Sequence, residues 1–188
     1  MQEIGTLESQ NKTWSTPLRL HGVLVRVLDK GILLIGESGI GKSECALDLL
    51  TKGHPLVADD VVEIFVDSDH VFGRAPALTF ELLEIRGLGI INVRELFGDG
   101  AICTESRIDL CIELHKWTDV ERIGNVVYDY HVRDRTIPKF ILPVSSGRNL
   151  ATLVETAARL HACRETGSDA GRRLVEKHAV LLDQARPV

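Results

Sequence analysis

The strongest chemical signal in the sequence is the run Gly36-Glu37-Ser38-Gly39-Ile40-Gly41-Lys42-Ser43, which fits GxxxxGK[ST] at every fixed position. Its glycines let backbone N–H groups turn inward around phosphate oxygens. A helix beginning at Lys42 adds its positive N-terminal end. Lys42 is spaced to reach the β- and γ-phosphates, and the Ser43 hydroxyl to ligate Mg²⁺. The run therefore predicts a site for ATP with Mg²⁺, but it does not separate an ATPase from a kinase. The acids must decide. Asp59 and Asp60 close a short apolar segment one helix later, where P-loop proteins place a magnesium-binding or proton-accepting carboxylate. Neighbouring strand residues face opposite ways, so the two are expected to do different jobs unless the strand has already ended. An ordinary solvated Asp-Asp turn is the competing reading. Glu84 sits inside an apolar run, where a buried carboxylate needs a metal or a charged partner, and Arg86 is the nearest candidate. His21, Arg122 and Arg148, taken one at a time, read as structural or surface residues.

The elements that must position these residues follow from apolar periodicity and turn signals. Residues 1–18 are polar without a sustained period and read as a flexible arm; residues 19–188 read as one folded domain. Residues 22–28 predict a strand, Asp29-Lys30-Gly31 a turn, and the wholly apolar residues 32–35 a buried strand. From Lys42 to Lys52 the period becomes helical, with Ala46, Leu47, Leu49 and Leu50 on the apolar face and Gly53 as its stop. Residues 55–58 and 61–66 predict extended chain. Residues 71–97 mix apolar runs with turns and give no clear assignment. Residues 108–114 alternate as a half-buried strand should, and residues 139–144 predict a strand ended by Pro143. Asn149 is placed to cap a helix to about Arg164, with Leu150, Leu153, Val154, Ala157, Ala158 and His161 inward. Asp169 is placed to cap a last helix with Leu174, Val175, His178 and Leu181 inward. The alternation of strands and helices predicts an α/β fold.

Composition excludes several classes. The chain has 188 residues, enough for one well-buried core, with 44% hydrophobic and 26% charged residues. A formal net charge of −5 gives a nucleic-acid role no support. No apolar run approaches a bilayer span, and the first residues lack a basic start followed by an apolar stretch, so a cytoplasmic location is expected. Cys45, Cys103, Cys111 and Cys163 form no CxxC pair and no zinc spacing, and read as reduced thiols.

Between His21 and Arg164 the sequence resembles the catalytic domain of the bifunctional HPr kinase/phosphorylase family. The matching blocks are His21-Gly22-Val23-Leu24-Val25, the phosphate loop with Glu44, Gly53-His54, Leu56-Val57-Ala58-Asp59-Asp60, Leu83-Glu84-Ile85-Arg86-Gly87-Leu88-Gly89-Ile90-Ile91 and Gly147-Arg148-Asn149-Leu150. They occur in the family's order, and the Leu83–Ile91 block is far more specific than the phosphate loop. The resemblance implies a P-loop fold like that of phosphoenolpyruvate carboxykinase, a mixed sheet with flanking helices. It implies Mg²⁺-dependent transfer from ATP to a serine of HPr or a related phosphotransferase-system carrier protein. It also implies the reverse phosphorolysis, which yields pyrophosphate, and assembly as a homo-hexamer. By the same resemblance Asp59 is the proton acceptor, His21, Lys42 and Arg122 are active-site residues, and Ser43 and Glu84 are magnesium ligands. Pro143-Val144-Ser145-Ser146-Gly147-Arg148 corresponds to a loop linked to dephosphorylation.

This chain departs from the family pattern in two places. Members usually carry a separate N-terminal domain, whereas 20 residues precede His21 here, so the resemblance covers the catalytic domain alone. Ser145-Ser146 also stands where members often have a lysine and an apolar residue. Two other readings compete. A P-loop kinase for a small molecule, or a plain ATPase, would need no protein acceptor, and the Leu83–Ile91 block argues against it. A non-catalytic nucleotide sensor would be expected to lose the acceptor carboxylate, and Asp59 is present.

Overall fold

Strand β3 (Lys30–Gly36) carries Ile32, Leu33 and Leu34 with no exposure on either face, as a run without polar alternation requires. It lies inside a six-stranded sheet in a computed structural model that describes residues 16–67, 69–116, 127–171, 173–174 and 177–178. The sheet order is β11 (Tyr128–Val132), β12 (Arg135–Val144), β10 (Leu110–Lys116), β3, β2 (Val23–Val27) and β4 (Leu56–Ala58). β10 runs parallel to both β3 and β12, whereas β2 is antiparallel to β3 and β4. A four-stranded antiparallel sheet joins β1 (Leu18–His21), β5 (Val61–Val66), β6 (Val71–Arg74) and β9 (Glu105–Arg107). A separate hairpin pairs β7 (Leu82–Ile85) with β8 (Gly89–Asn92). The helices are α1 (Lys42–Thr51), α2 (Val93–Phe97) and α3 (Leu150–Glu165).

Side chains that alternate along the strands build two cores from one sheet. Val23, Val25, Ile32, Leu34, Leu110 and Ile112 face one way and pack with α1, α3 and the hairpin's Leu83 and Ile85. Leu24, Leu33 and Cys111 face the other way and pack with Val62, Ile64 and Val71 of the four-stranded sheet. The hairpin is thereby fastened to α1 by Leu83 and Ile85, which leaves its other face toward the phosphate loop. α3 is capped as expected, with the Asn149 Oδ1 accepting the Thr152 N–H at 2.8 Å.

The mixed α/β architecture with flanking helices agrees with expectation, and several local readings do not. The first strand stops at Val27 because Leu28 and Asp29 take positive φ and make the turn themselves, so β3 starts two residues early at Lys30. β10 is not half-buried: Leu110, Cys111 and Ile112 are all fully covered, because it is a central strand with a core on each face. Pro143 does not end β12. Residues 135–139 pair only with β11 up to the shared Lys139, and residues 140–144 pair only with β10. Pro138 and Pro143 each fall where the strand has one partner and is locally an edge, the setting in which a strand tolerates proline. In α3 it is Ala151 rather than Leu153 that is fully covered. Leu174 is 64% exposed and His178 is also exposed, against the inward face expected of the last helix. Asp169 does cap that helix's first turn, its Oδ1 accepting the Gly171 N–H at 3.0 Å. Val175 and Leu181 lie outside the described residues, as does most of the expected arm. β1 begins at the arm's last residue, Leu18. The four cysteines are free; burial raises the thiols of Cys45 and Cys111 to about 12 and makes both unreactive. No described helix is long and apolar enough to cross a membrane.

Leu34→Ala opens a cavity between β3 and α1 and should cost about 3 kcal/mol of stability. Leu88→Ala, at a residue 74% exposed in the hairpin turn, should stay within about 0.5 kcal/mol. Urea denaturation of the two variants measures the contrast, and equal losses would overturn the placement of the core.

Candidate active site

The phosphate loop hangs between β3 and α1, as the motif requires. Gly36, Gly39 and Gly41 have φ of +141°, +76° and +104°, values open to glycine and strained for other residues. A Cβ on Gly36 would also stand 2.6 Å from the Leu114 carbonyl oxygen of the neighbouring strand. Ile40 is buried against the core and anchors the loop, while Glu37 points outward and pairs with Lys116 at 3.0 Å. That ammonium holds the Glu37 carboxyl below its usual range. Gly41 begins α1 without any side-chain cap, so the helix's first amides remain directed at the loop. The buried Lys42 donates to the carbonyl oxygens of Gly36 at 2.9 Å and Glu37 at 3.0 Å. Burial lowers its pKa, and the charges of Asp59 and Asp60 oppose that shift.

A cleft opens over this loop, walled by His21, Ser38, Gly39, Lys42, Ser43, Glu44, Asp59, Asp60, Glu84 and Arg86. Four elements meet there. Ser43 comes from the first turn of α1, Asp59 and Asp60 from the end of β4, Glu84 and Arg86 from the hairpin, and His21 from the end of β1. Asp59 is buried, and its carboxylate accepts from the Ser43 hydroxyl at 2.8 Å and from the Glu84 N–H at 3.1 Å. Burial raises its pKa above the ordinary 3.8, against the lowering effect of the bonds from Glu84, Ser43 and the Asp60 backbone. Asp60 is different in every respect. It takes a φ of +63°, turns out to solvent and places Oδ1 3.0 Å from His21 Nδ1. β4 has ended at Ala58, so the chain turn, rather than strand alternation, separates the two carboxylates.

Glu84 corrects the sequence reading. It is exposed, because Leu83 and Ile85 take the covered face of β7 and leave Glu84 on the cleft face. No ion pair joins it to Arg86 among the described residues; both project into the cleft. Arg86 and the His21–Asp60 pair are the features that reading the residues singly had missed. A signal for Arg86 was available, since it stands two residues from Glu84 where β7 gives way to the turn. The described residues hold no cluster of three metal-binding side chains. Ser43 and Glu84 offer two hard oxygens beside the phosphate loop, which suits Mg²⁺, an ion commonly held by one or two protein ligands with phosphate and water completing its shell. Ser43 can donate to Asp59 and still present a lone pair to a cation.

Residues 143–148 are not among those that line the cleft. Pro143 and Val144 finish β12, and residues 145–148 form a turn, closed by the Arg148 N–H on the Ser145 carbonyl at 3.3 Å, before the α3 cap. That turn lies at the same end of the sheet as the phosphate loop, two strands away. Arg122 lies outside the described residues.

Comparison with known proteins agrees with this arrangement. The family described as HPr serine kinase C-terminal domain matches residues 12–178. A protein of Levilactobacillus brevis named HPr kinase/phosphorylase is 43% identical over 171 residues, which is 85% of this chain and 55% of the relative. One of Geobacillus kaustophilus with the same name is 48% identical over 155 residues, 80% of this chain and 50% of the relative. A solved structure of the HPr(Ser) kinase/phosphatase from Coxiella burnetii superposes with a TM-score of 0.75 at 30% identity, covering 84% of this chain and 98% of that one. The chain spans about half the length of the named relatives it matches. Over nearly its whole length, from before β1 to the last described helix, the chain belongs to the HPr serine kinase C-terminal domain family.

Proposed function

We propose that this chain is the catalytic domain of a Mg-ATP-dependent protein kinase, acting in the cytoplasm on a serine of HPr or a related carrier protein, with a P-loop fold of the phosphoenolpyruvate carboxykinase kind. The observation that carries the reading is the buried Asp59 carboxylate, held at 2.8 Å by the residue that follows the phosphate-loop lysine. That contact sets a proton acceptor beside the place where the phosphate loop would present a terminal phosphate. As the serine oxygen bonds to the γ-phosphorus, the bond from that phosphorus to the β–γ bridging oxygen breaks. The electron pair leaves with ADP, and the serine proton passes to Asp59. A positioned carboxylate is worth roughly 10²–10⁴-fold in such a step. Lys42 and the loop amides hold the β- and γ-phosphates. Ser43 and Glu84 hold Mg²⁺, which supplies charge to offset that of the phosphates. His21 fixes Asp60 and so the turn that aims Asp59.

The same site serves phosphorolysis. Inorganic phosphate attacks the phosphoserine phosphorus, Asp59 returns its proton to the departing serine oxygen, and pyrophosphate leaves. A carboxylate raised by burial is suited to both roles, because it parts with and regains a proton nearer to neutrality. Residues 143–148 serve the dephosphorylation direction, Arg122 takes part in the reaction, and the enzyme is a homo-hexamer in which the exposed Leu174 on the last helix belongs to the surface that receives the carrier. Light scattering on the purified chain tests the assembly, and a monomeric particle with full activity would refute it.

Asp59→Asn should keep Mg-ATP binding and lose at least about 10²-fold in transfer rate, because an amide cannot accept the serine proton. Asp60→Asn should lose far less. Mass spectrometry of HPr after incubation with each variant reads the difference; a dead Asp60→Asn with a normal Asp59→Asn reverses the two roles. The pH dependence carries a second test. Lowering the pH through the raised Asp59 value protonates the acceptor, so forward transfer slows while phosphorolysis gains relative to it. A forward rate that stayed flat down to about pH 4, where an ordinary aspartate titrates, would remove Asp59 from the chemistry.

A further inference from the structure

Arg86 stands at the tip of the β7–β8 hairpin, on the wall of the cleft that faces the phosphate loop. Its guanidinium lies directly over Gly39. A Cβ placed on Gly39 would be 3.1 Å from one terminal nitrogen of Arg86, 3.8 Å from the other and 3.9 Å from the carbon between them. The outer end of the guanidinium thus occupies the space beside Gly39, in the middle of a loop whose amides can surround phosphate. Arg86 is exposed, and no carboxylate among the described residues pairs with it. The hairpin that carries it cannot drift, because Leu83 and Ile85 are buried against α1 and the Asp59 carboxylate accepts the Glu84 N–H. The turn of an anchored hairpin therefore holds an uncommitted guanidinium beside a phosphate cradle.

We infer that Arg86 is a catalytic residue that binds the transferred phosphoryl group across from the phosphate loop. The inference rests on the kinase reading above and adds a ligand to it. Lys42 approaches the phosphates from inside the loop as a point charge, whereas Arg86 approaches from the cleft with a planar fork that can hold two oxygens at once. Position decides which phosphate it takes. Arg86 lines the same cleft as Glu84 and Asp59, and Asp59 meets the acceptor side of the reaction. Charge gathers on the equatorial and bridging oxygens as the bond to the bridging oxygen lengthens. A guanidinium above Gly39 stabilises that charge in the way an arginine supplied in cis does in other phosphate-loop enzymes.

Calorimetric titration of the whole chain with Mg-ATP and with Mg-ADP, before and after Arg86→Ala, tests the inference apart from the acceptor's identity. The variant should bind Mg-ATP about tenfold more weakly, the loss of one charged hydrogen bond, and Mg-ADP unchanged. Its single-turnover transfer to HPr should fall by about 10³-fold. Added guanidinium ion should restore part of that rate, and Arg86→Lys should restore little of it, since an ammonium is not a fork. An unaltered thermal melt excludes a folding defect. If the unsubstituted chain binds neither nucleotide, the kinase reading and the Arg86 assignment fall together. If it binds both, and Arg86→Ala keeps the same ATP-to-ADP ratio and the same transfer rate, the Arg86 assignment alone is wrong.

Discussion

The buried carboxylate of Asp59 is the point on which the site depends. It belongs to the end of β4, accepts from the first turn of α1 through Ser43 and accepts from β7 through the Glu84 N–H. One side chain therefore sets the distance between the phosphate-loop helix and the hairpin that walls the cleft. A carboxylate with so little exposure is costly to leave unpaired, so the two bonds are held firmly. They leave the group poised, because they favour the charged form while burial favours the neutral one. The structural tie and the proposed role of proton acceptor make the same demand here, since each needs a desolvated carboxylate with few donors.

What the sequence disclosed, and what it withheld, follows from the range of the interactions. The phosphate loop was legible because its chemistry is local. Glycine spacing, the lysine and the serine are read within eight residues, and the flanking strand and helix are read from apolar period. The α3 cap was legible for the same reason. Burial of β10 was not, because Glu113 gives the strand an apparent alternation, while its actual cover comes from β3, β12 and two separate cores. Nor was the exposure of Glu84. An acid between two leucines and an isoleucine looks buried in one dimension, but a two-residue period assigns Leu83 and Ile85 to one face and Glu84 to the other. The 71–97 region resisted assignment because its strands are short and belong to two sheets, so their pairing comes from contacts distant in sequence. The prolines of β12 misled for a related reason. Whether a proline breaks a strand depends on how many neighbours the strand has at that residue, which no local pattern states.

The charge of the cleft gives the last step. Its walls carry four carboxylates, Glu44, Asp59, Asp60 and Glu84, against the permanent cations Lys42 and Arg86, with His21 beside Asp60. A cleft with this excess of acid would repel a bare polyphosphate, although its loop amides and helix terminus are formed to bind one. On the proposed reading the two tendencies are reconciled by a divalent cation that enters with the nucleotide, for an acid such as Glu84 would then serve as a ligand and the nucleotide's net charge would fall. Glu84 then has a reason to be exposed in a stretch otherwise apolar, and Arg86 a reason to remain without a carboxylate partner. In such a balance neither cation is redundant. Lys42 is turned inward on the loop's own carbonyls, so on the proposed reading the task of meeting charge on the open side falls to the arginine of the hairpin.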